Sequence, residues 1–281
     1  LVGVSIVHLD TYGSRSVQTG NWNVSSTWNT GVPSTSDNVT IQSGHTVTAT
    51  NDVGVQNLTI EYDGTLIIPD GVTVTVEGIL SNNGMLQQTQ EVPAGSTTEF
   101  LHITNSAGTV DKYYGLDITP DSTSLGSTTV AIQGNHTGGC TTVRNDPLLY
   151  RCFEITPTSQ ESATLKFWYD EDERNDQTAN DLVVWHHDGG TNWSQTGTYS
   201  YSESSTDCQS GDGRACWVEA AGISSYSVFD IGADGSAPTA TMLTTLEGVY
   251  SPVRDERILL GMGIIAGAIL TLRVTESREE K

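Results

Sequence analysis

The chain has 281 residues and carries 34 acidic against 12 basic side chains, for a formal net charge of −22 at pH 7. A surface this negative repels phosphate backbones and anionic lipid headgroups, so the composition argues against nucleic-acid binding and polybasic membrane docking. The length indicates two domains, and the 29 glycines indicate many short strands and tight turns.

The charge is unevenly distributed along the chain. Residues 1–250 contain only seven basic side chains, whereas the last 31 residues contain five basic and five acidic ones. The whole net charge therefore belongs to residues 1–250, and the tail is neutral. We expect an acidic β-rich body followed by a tail of different character.

A regular pattern of short strands follows a lead-in at residues 1–19, for which we expect a strand and a turn. Glycines recur six to ten residues apart, and the runs between them are apolar or alternate polar with apolar. This pattern is typical of a β-solenoid, in which each rung buries its inward residues against neighbouring rungs. An ordinary sandwich sheet with hairpins is the alternative. The predicted strands are residues 39–41, 46–50, 55–60, 65–68, 72–76, 79–80 and 85–86.

Residues 18–90 also resemble a known module. The opening resembles that of G8-type and related right-handed β-helix modules of secreted bacterial surface proteins, and it reads Gly20-Asn21-Trp22, Thr27-Trp28, Gly31-Val32-Pro33, Asp37-Asn38-Val39-Thr40-Ile41 and Gly44-His45-Thr46-Val47-Thr48. The string Gly78-Ile79-Leu80-Ser81-Asn82-Asn83-Gly84 is similar to a later rung. The resemblance implies a structural, surface-exposed module over residues 20–92, and it brings no catalytic residues with it.

Longer strand candidates begin after a predicted joint at residues 87–95. Their number and spacing predict a β-sandwich over residues 93–232. For Trp168, Trp185, Trp193 and Trp217 we expect packing in the core and on strand faces, with a glycan-stacking platform as the alternative. This region resembles, more weakly, the sandwich that often precedes the C-terminal anchor of bacterial surface proteins. The nine candidates are residues 100–103, 114–118, 129–132, 152–155, 164–169, 182–185, 198–202, 216–219 and 226–231.

All four cysteines lie in the second region, at Cys140, Cys152, Cys208 and Cys216. An even number in an exported chain predicts disulfides, and the pairs closest in sequence are Cys140–Cys152 and Cys208–Cys216. A zinc site is the alternative, but these spacings do not match the short C-x₂₋₄-C pattern of zinc knuckles.

An acidic run covers residues 170–176 between two predicted strands. Asp170, Asp172 and Asp176 are its candidate calcium ligands, because Ca²⁺ prefers six to eight oxygen ligands. The spacing lacks the register of an EF-hand, and a solvated loop that protects strand edges is the alternative. No other metal or cofactor is expected.

Catalytic motifs are missing from the sequence. There is no G-x-S-x-G, H-E-x-x-H, phosphate-binding loop or dinucleotide fingerprint. His45 and His102 are expected on strand faces, and adjacent His186 and His187 are expected on opposite faces of one strand. Because some β-helices cleave polysaccharides, a glycan-cleaving protein is kept as an alternative to the expected non-enzymatic one.

The tail changes character after a linker at residues 233–253. Within residues 254–281, an apolar stretch from Ile258 to Leu272 is bounded by arginines. As a helix it spans about 22 Å, which is short for a bilayer unless the flanking arginines snorkel. Gly263, Gly267 and Thr271 share one helix face and allow close helix–helix approach. We expect a membrane anchor, with a cleaved sorting tail and a buried filament helix as alternatives.

These observations together predict an all-β protein, made of a short right-handed β-helix, a β-sandwich and one C-terminal hydrophobic α-helix. The expected function is that of a non-enzymatic structural or assembly protein, located outside a bacterial cell and anchored to its membrane by the tail. The expected partners are other copies of the chain or subunits of a surface assembly. The alternative is an ectodomain that binds or cleaves glycans.

Overall fold

Strands and turns make up the chain wherever its structure is described. The computed structural model describes residues 13–134, 148–178, 181–188, 192–201 and 216–234. These ranges contain 22 strands, two short 3-10 helices at Ser25–Thr27 and Glu171–Glu173, and no α-helix. The all-β class is therefore confirmed for this part of the chain.

The first ten strands are short, with one exception. They are β1 (Ser14–Arg15), β2 (Gly20–Asn21), β3 (Asn38–Ile41), β4 (Thr46–Thr48), β5 (Val53–Val55), β6 (Asn57–Ile60), β7 (Thr65–Ile68), β8 (Val74–Val76), β9 (Leu80–Asn82) and β10 (Met85–Val92). The predicted run 55–60 is divided into the end of β5 and β6, because the chain turns at Gln56, whose N–H donates to the carbonyl of Asp37.

Parallel pairing organises this first region into three stacks. One stack has the order β1-β3-β6-β9, the second has β2-β4-β7-β10, and the third pairs β5 with β8. Successive strands of the chain visit the stacks in turn, so the chain returns to the same stack after 19 residues from Asn38 to Asn57. Each return adds one layer to all three stacks.

Apolar side chains in register form columns inside the stacks. Val47, Leu66 and Leu86 are aligned on successive strands and are fully buried. Ile41 and Ile60 form a second column, which Asn82 ends in the next layer. Fully burying one such side chain stabilises the fold by roughly 1.5–3 kcal/mol.

A ladder of side-chain amides reinforces the outside of the first stack. Asn57 Nδ2 donates a hydrogen bond to Asn38 Oδ1 at 2.5 Å. Asn57 Oδ1 accepts one from the backbone N–H of Ile79 at 2.7 Å. Three consecutive layers are thereby tied together at one corner.

Strand β10, with eight residues, is longer than the other strands of this region, and its length contradicts the sequence prediction. The expected joint at residues 87–95 is wrong for residues 87–92, which continue the strand. The physical reason is backbone pairing: β10 runs antiparallel to β15 (Gly126–Gln133) along its whole length, and its first four residues, Met85–Gln88, also pair in parallel with β7. This pairing stabilises a strand whose Gln-rich sequence has only a weak preference for strand.

The remaining strands are mostly longer and mostly antiparallel. They are β11 (Thr98–Phe100), β12 (Ile103–Thr104), β13 (Asp111–Tyr113), β14 (Leu116–Pro120), β15, β16 (Leu148–Pro157), β17 (Ala163–Tyr169), β18 (Leu182–His187), β19 (Trp193–Gln195), β20 (Thr198–Tyr201), β21 (Cys216–Ile223) and β22 (Val228–Ala233). Short strand β12 adds to the third stack through its parallel pairing with β8.

Two sheets face each other in this second region. The nine-stranded sheet has the order β19-β18-β22-β16-β15-β10-β7-β4-β2, so it continues the second parallel stack. The five-stranded sheet has the order β11-β14-β17-β21-β20. Phe167 of the five-stranded sheet contacts Phe153 and Phe229 of the nine-stranded sheet, with ring centroids 4.9 Å and 5.7 Å apart. One hydrophobic core, which contains these three rings, therefore joins the two sheets.

The predicted tail and part of the lead-in fall outside this description. Residues 1–12 and the predicted hydrophobic helix at residues 254–281 do not belong to the described ranges. Within those ranges, no helix has the length and apolar character that crossing a membrane requires.

Candidate functional site on the five-stranded sheet

The outer face of the five-stranded sheet carries a concentration of aromatic and charged side chains. Strand β17 has the sequence ATLKFWY, in which every second residue is buried against the core. Because side chains alternate along a strand, Thr164, Lys166 and Trp168 all lie on the opposite, outer face. Their neighbours on the adjacent strands extend the same alternation across the sheet.

Three rows of side chains cross this face at right angles to the strands. We call them the aromatic row, the charged row and the threonine row, and the face as a whole the outer face. The aromatic row comprises His102, Tyr114, Trp168 and Trp217; the charged row comprises Glu99, Asp117, Lys166, Glu219 and Ser200; the threonine row comprises Thr97, Thr119 and Thr164.

The aromatic row is a continuous series of ring contacts. Tyr114 and Trp168 stack with ring centroids 5.0 Å apart and planes inclined by 27°. The His102 ring meets both of them edge-on, at 5.4 Å and 6.0 Å. Trp217 lies directly opposite Trp168 on β21. Lys166 Nζ lies 5.6 Å from the Trp168 ring and 4.8 Å from the Trp217 ring, within the range of a cation–π contact.

Carboxylate oxygens lie close to side-chain nitrogen atoms in and beside the charged row. His102 Nε2 is 3.0 Å from Asp117 Oδ1, and Lys166 Nζ is 3.5 Å from Glu219 Oε2. Glu219 Oε1 also accepts a hydrogen bond from the Ser200 hydroxyl at 3.2 Å. Glu99, at the edge, is 66% exposed and lies 3.7 Å from His102 Nδ1. Both inner carboxylates therefore have a nitrogen partner close by.

A buried ion pair supports the aromatic row from within the protein. Arg151 and Glu173 have side chains only 3% and 8% exposed, and Arg151 NH2 lies 2.7 Å from Glu173 Oε2. Arg151 Nε donates a second hydrogen bond to Glu173 Oε1 at 3.1 Å, so the contact is bidentate. Arg151 NH1 donates to the backbone carbonyls of Tyr114 and Trp168. The guanidinium thus ties together the two backbone segments that carry the stacked rings.

Burial keeps the nearby tyrosines neutral. Removal from water raises the pKa of Tyr113, whose ring lies 4.3 Å from the Arg151 guanidinium carbon, to about 12. Burial, followed by a hydrogen bond to the Asp111 carboxylate, also raises the pKa of Tyr114. The Tyr114 hydroxyl donates a hydrogen bond to Asp111 Oδ2 at 2.5 Å.

The acidic run 170–176 has a structural role that the sequence did not indicate. Asp170 caps the 3-10 helix Glu171–Glu173, and its backbone N–H donates to Glu173 Oε2 at 2.8 Å. The expectation of a solvated loop is wrong for Glu173, because that carboxylate turns inward to Arg151. Across the described residues, no three His, Cys, Asp or Glu side chains are grouped to hold a metal ion. The calcium prediction for Asp170, Asp172 and Asp176 gains no support.

Two of the four cysteines lie in described strands. Cys152 on β16 and Cys216 on β21 are fully buried, and both are disulfide-bonded. Cys140 and Cys208 lie outside the described residues. The pairing Cys140–Cys152 and Cys208–Cys216 stays a prediction.

The adjacent histidines meet a serine, but the contacts do not form a nucleophilic site. Ser227 Oγ lies 3.1 Å from His186 Nε2, and the Ser227 hydroxyl also contacts the carbonyl oxygen of His187. Burial lowers the pKa of His186, so the ring stays neutral near pH 7. His45 Nδ1 contacts the buried Ser16 hydroxyl at 2.9 Å. These histidines hold local structure together.

The other tryptophans of the second region pack against apolar side chains. Trp185 is buried with Leu148 and Val183, and Trp193 packs against this cluster. Their environment matches the expectation of core and strand-face packing. Trp168 and Trp217 differ from them in position, because they lie on the outer face of the five-stranded sheet.

Sequence reasoning missed the grouping of the outer face. The period-2 pattern of residues 163–169 was sufficient to place Thr164, Lys166 and Trp168 on one side of a strand. Their neighbours His102, Tyr114 and Glu219 could be found only from the strand order and register, which a single sequence does not provide.

Comparison with known proteins gives one finding for this chain. Neither the curated proteins nor the solved structures contain a significant match. A family model does match part of the chain: residues 27–108, from the 3-10 helix near the start of the stacks to the loop after β12, are similar to the G8 domain.

Proposed function

We propose that the chain is a non-enzymatic structural protein of a cell exterior, in which a short right-handed β-helix carries a β-sandwich. The three parallel stacks are the faces of that β-helix, each layer is one rung, and the two facing sheets are the sandwich. The proposal extends to a location on a bacterial surface and to anchoring by residues 254–281. The G8 match at residues 27–108 supports the modular, surface-exposed character that the sequence resemblance implies.

The observation that carries the proposal is the double pairing of β10. This strand is the last layer of the second parallel stack and is also a central strand of the nine-stranded sheet. The two regions therefore share backbone hydrogen bonds and do not depend on a flexible linker. A continuous sheet of this kind suits a stiff spacer that holds one end of a protein away from a surface.

Two further properties favour an exported protein. Disulfide-bonded cysteines persist in oxidising compartments and are rare in the cytosol, and both Cys152 and Cys216 are of this kind. The net charge of −22 favours solubility and makes the acidic bodies of neighbouring copies repel each other on a crowded surface. The apolar stretch from Ile258 to Leu272 supplies a candidate anchor, and the face with Gly263 and Gly267 supplies a candidate contact between copies.

Protease treatment of intact cells tests the location and the anchor. The full chain is produced behind an export signal, and we expect it in the membrane fraction and accessible to external protease. The double variant Ile264→Arg with Ile265→Arg should release the protein into the soluble fraction, because charge in the apolar stretch opposes insertion. Arginine at Thr275, beyond the stretch, is the matched control and should leave the protein bound. A wild-type chain found in the cytosol would disprove the proposal.

Sedimentation in detergent tests the assembly. Gly263→Leu or Gly267→Leu should reduce association between copies, because a large side chain prevents close helix approach. Gly261→Leu, which changes a glycine outside the Gly263 and Gly267 pattern, is the control. Association that all three variants retain would remove the tail from the proposed interface.

A second candidate function is glycan binding, and the outer face favours it. Half-buried aromatic rings beside carboxylates and hydroxyls are a common composition for binding sites. For a glycan-cleaving enzyme the described residues offer less support, because the Ser227 hydroxyl contacts a backbone carbonyl and Asp117 lies against His102.

A further inference from the structure

The outer face has the chemistry of a binding surface for an extended, polar and uncharged chain. The aromatic row presents His102, Tyr114, Trp168 and Trp217 across neighbouring strands. Tryptophan and tyrosine provide large, rigid contact areas at a low cost in conformational entropy. Their rings contact apolar C–H groups while polar groups nearby remain hydrated.

Hydrogen-bonding groups lie beside the rings in both remaining rows. In the charged row, Glu219 Oε1 accepts a hydrogen bond from Ser200, and the Asp117 carboxylate and Lys166 ammonium add a further acceptor and donor group. In the threonine row, the Thr97 and Thr119 hydroxyls contact each other at 2.8 Å, and Thr164 lies directly opposite Thr119. A ligand with many hydroxyl groups could exchange hydrogen bonds with both rows at once.

The charged side chains on this face favour an uncharged ligand. The two inner carboxylates lie close to nitrogen atoms of His102 and Lys166, and the Lys166 ammonium offsets one of their charges. A cationic ligand would meet Lys166, which already occupies the position over the Trp168 and Trp217 rings. An anionic ligand would meet the exposed Glu99 and the overall charge of −22.

We propose that the outer face binds an uncharged polysaccharide, with its sugar rings against the aromatic row and its hydroxyls hydrogen-bonded to the charged and threonine rows. This inference rests on the second candidate function above and not on the cellular location. Binding is measured on the purified chain, so its failure and a failure of the surface proposal are separate results.

Affinity electrophoresis with the full chain tests the proposal. A polyoxyethylene detergent keeps the tail soluble without offering sugar headgroups. The gels contain hydroxyethylcellulose or glucomannan as neutral probes, polygalacturonate as the anionic probe, or chitosan as the cationic probe. We expect retardation by at least one neutral probe and none by the two charged ones.

Two variants test the location of the site. Trp168→Ala should weaken binding to the neutral probe by about tenfold or more, as expected for a central aromatic contact. Thr164→Arg places a long charged side chain in the threonine row, without removing a core contact, and should also weaken binding to the neutral probe. If Trp168→Ala does not fold, Thr164→Arg still tests whether the polysaccharide binds to the outer face. The control is Tyr62→Ala, which removes an aromatic residue 58% exposed in a turn of the first region.

Four results would overturn the proposal. They are no retardation by either neutral probe, retardation only by a charged probe, equal binding by wild type and Thr164→Arg, and an equal loss in Tyr62→Ala. A dimer that Trp168→Ala dissociates, with no polysaccharide binding, would also overturn it and would assign the face to contact between copies.

Discussion

Arg151 and Glu173 form a bidentate ion pair beneath the outer face, with their closest atoms 2.7 Å apart. The pair is almost completely buried, although the chain has only 12 basic side chains. Arg151 also holds the carbonyls of Tyr114 and Trp168. We interpret the pair as a support that fixes the backbone under the aromatic row.

Removing one partner of this pair should be costly. Arg151→Met leaves the Glu173 carboxylate buried without its counter-ion, and we expect a loss of about 3–5 kcal/mol in the free energy of unfolding. Urea denaturation followed by circular dichroism measures it. The double variant Arg151→Met with Glu173→Met should lose less, because no charge is then left buried.

The neighbouring Arg174 provides a matched control. Arg174 NH2 lies 2.5 Å from Glu171 Oε1, but both side chains are 24% exposed. Water screens this pair, so Arg174→Met should cost less than about 1 kcal/mol. Equal losses for the two arginine variants would show that burial does not distinguish the pairs.

The ion pair also marks the limit of prediction from sequence. The acidic run at residues 170–176 gave no reason to select Glu173, because all its carboxylates have the same chemistry. Glu173 is selected by its partner, Arg151, which lies 22 residues earlier on β16. Such tertiary pairing depends on strand order, and no local pattern encodes it.

Strand positions were easier to predict than strand pairing. Glycines and alternating apolar residues located most strands within a few positions, since both signals are local. Strand β10 was missed beyond Leu86 because residues 87–91 are Gln, Gln, Thr, Gln and Glu. Pairing with β15 over all five residues, and with β7 as far as Gln88, outweighs their weak preference for strand.

The amide ladder should contribute measurably to stability. Asn57→Ala removes the bond to Asn38 and leaves the Ile79 N–H without its acceptor. We expect a loss of about 0.5–1.5 kcal/mol, because both bonds are exposed and water can partly replace them. Thermal unfolding gives the comparison with wild type.

Asn38→Ala separates the two parts of that effect. It removes the side-chain bond but leaves Asn57 Oδ1 bonded to the Ile79 N–H. The loss should therefore be smaller than for Asn57→Ala. A larger loss for Asn38→Ala would contradict the assignment of the cost to the backbone donor.

Glycine at position 84 should be required for close packing of successive layers. A Cβ atom there would lie 2.3 Å from the carbonyl oxygens of both Glu61 and Gly64. Gly84→Ala must displace backbone to fit, and we expect a loss of more than about 2 kcal/mol or failure to fold. Yield of folded protein and urea denaturation measure the effect.

Gly95→Ala is the control for this steric argument. Gly95 has φ of +71°, but a Cβ atom there meets no atom within 4 Å. Its cost is backbone strain alone, about 1–2 kcal/mol. If Gly84→Ala were the milder variant, close layer packing at Gly84 would be disproved.

The pH dependence of stability should include a contribution from Glu154. Partial burial raises the pKa of this carboxyl above its ordinary value. A raised pKa means that the folded state holds the proton more tightly than the unfolded state, so stability falls as pH rises through the folded-state pKa. At pH 7 the unfolded state has released this proton, so the raised folded-state pKa lowers stability there, whereas well below the ordinary pKa both states hold the proton and the contribution disappears. Glu154→Gln should therefore raise the urea midpoint at pH 7 and leave it almost unchanged at pH 3.

The comparison with Glu91 checks that the effect comes from burial. Glu91 is exposed on β10, so Glu91→Gln removes the same charge from a solvated position. Both variants reduce the net negative charge by one unit, and any gain from weaker overall repulsion appears in both. A gain specific to Glu154→Gln at pH 7 therefore measures desolvation, and equal gains for the two variants would attribute the effect to the net charge of the chain.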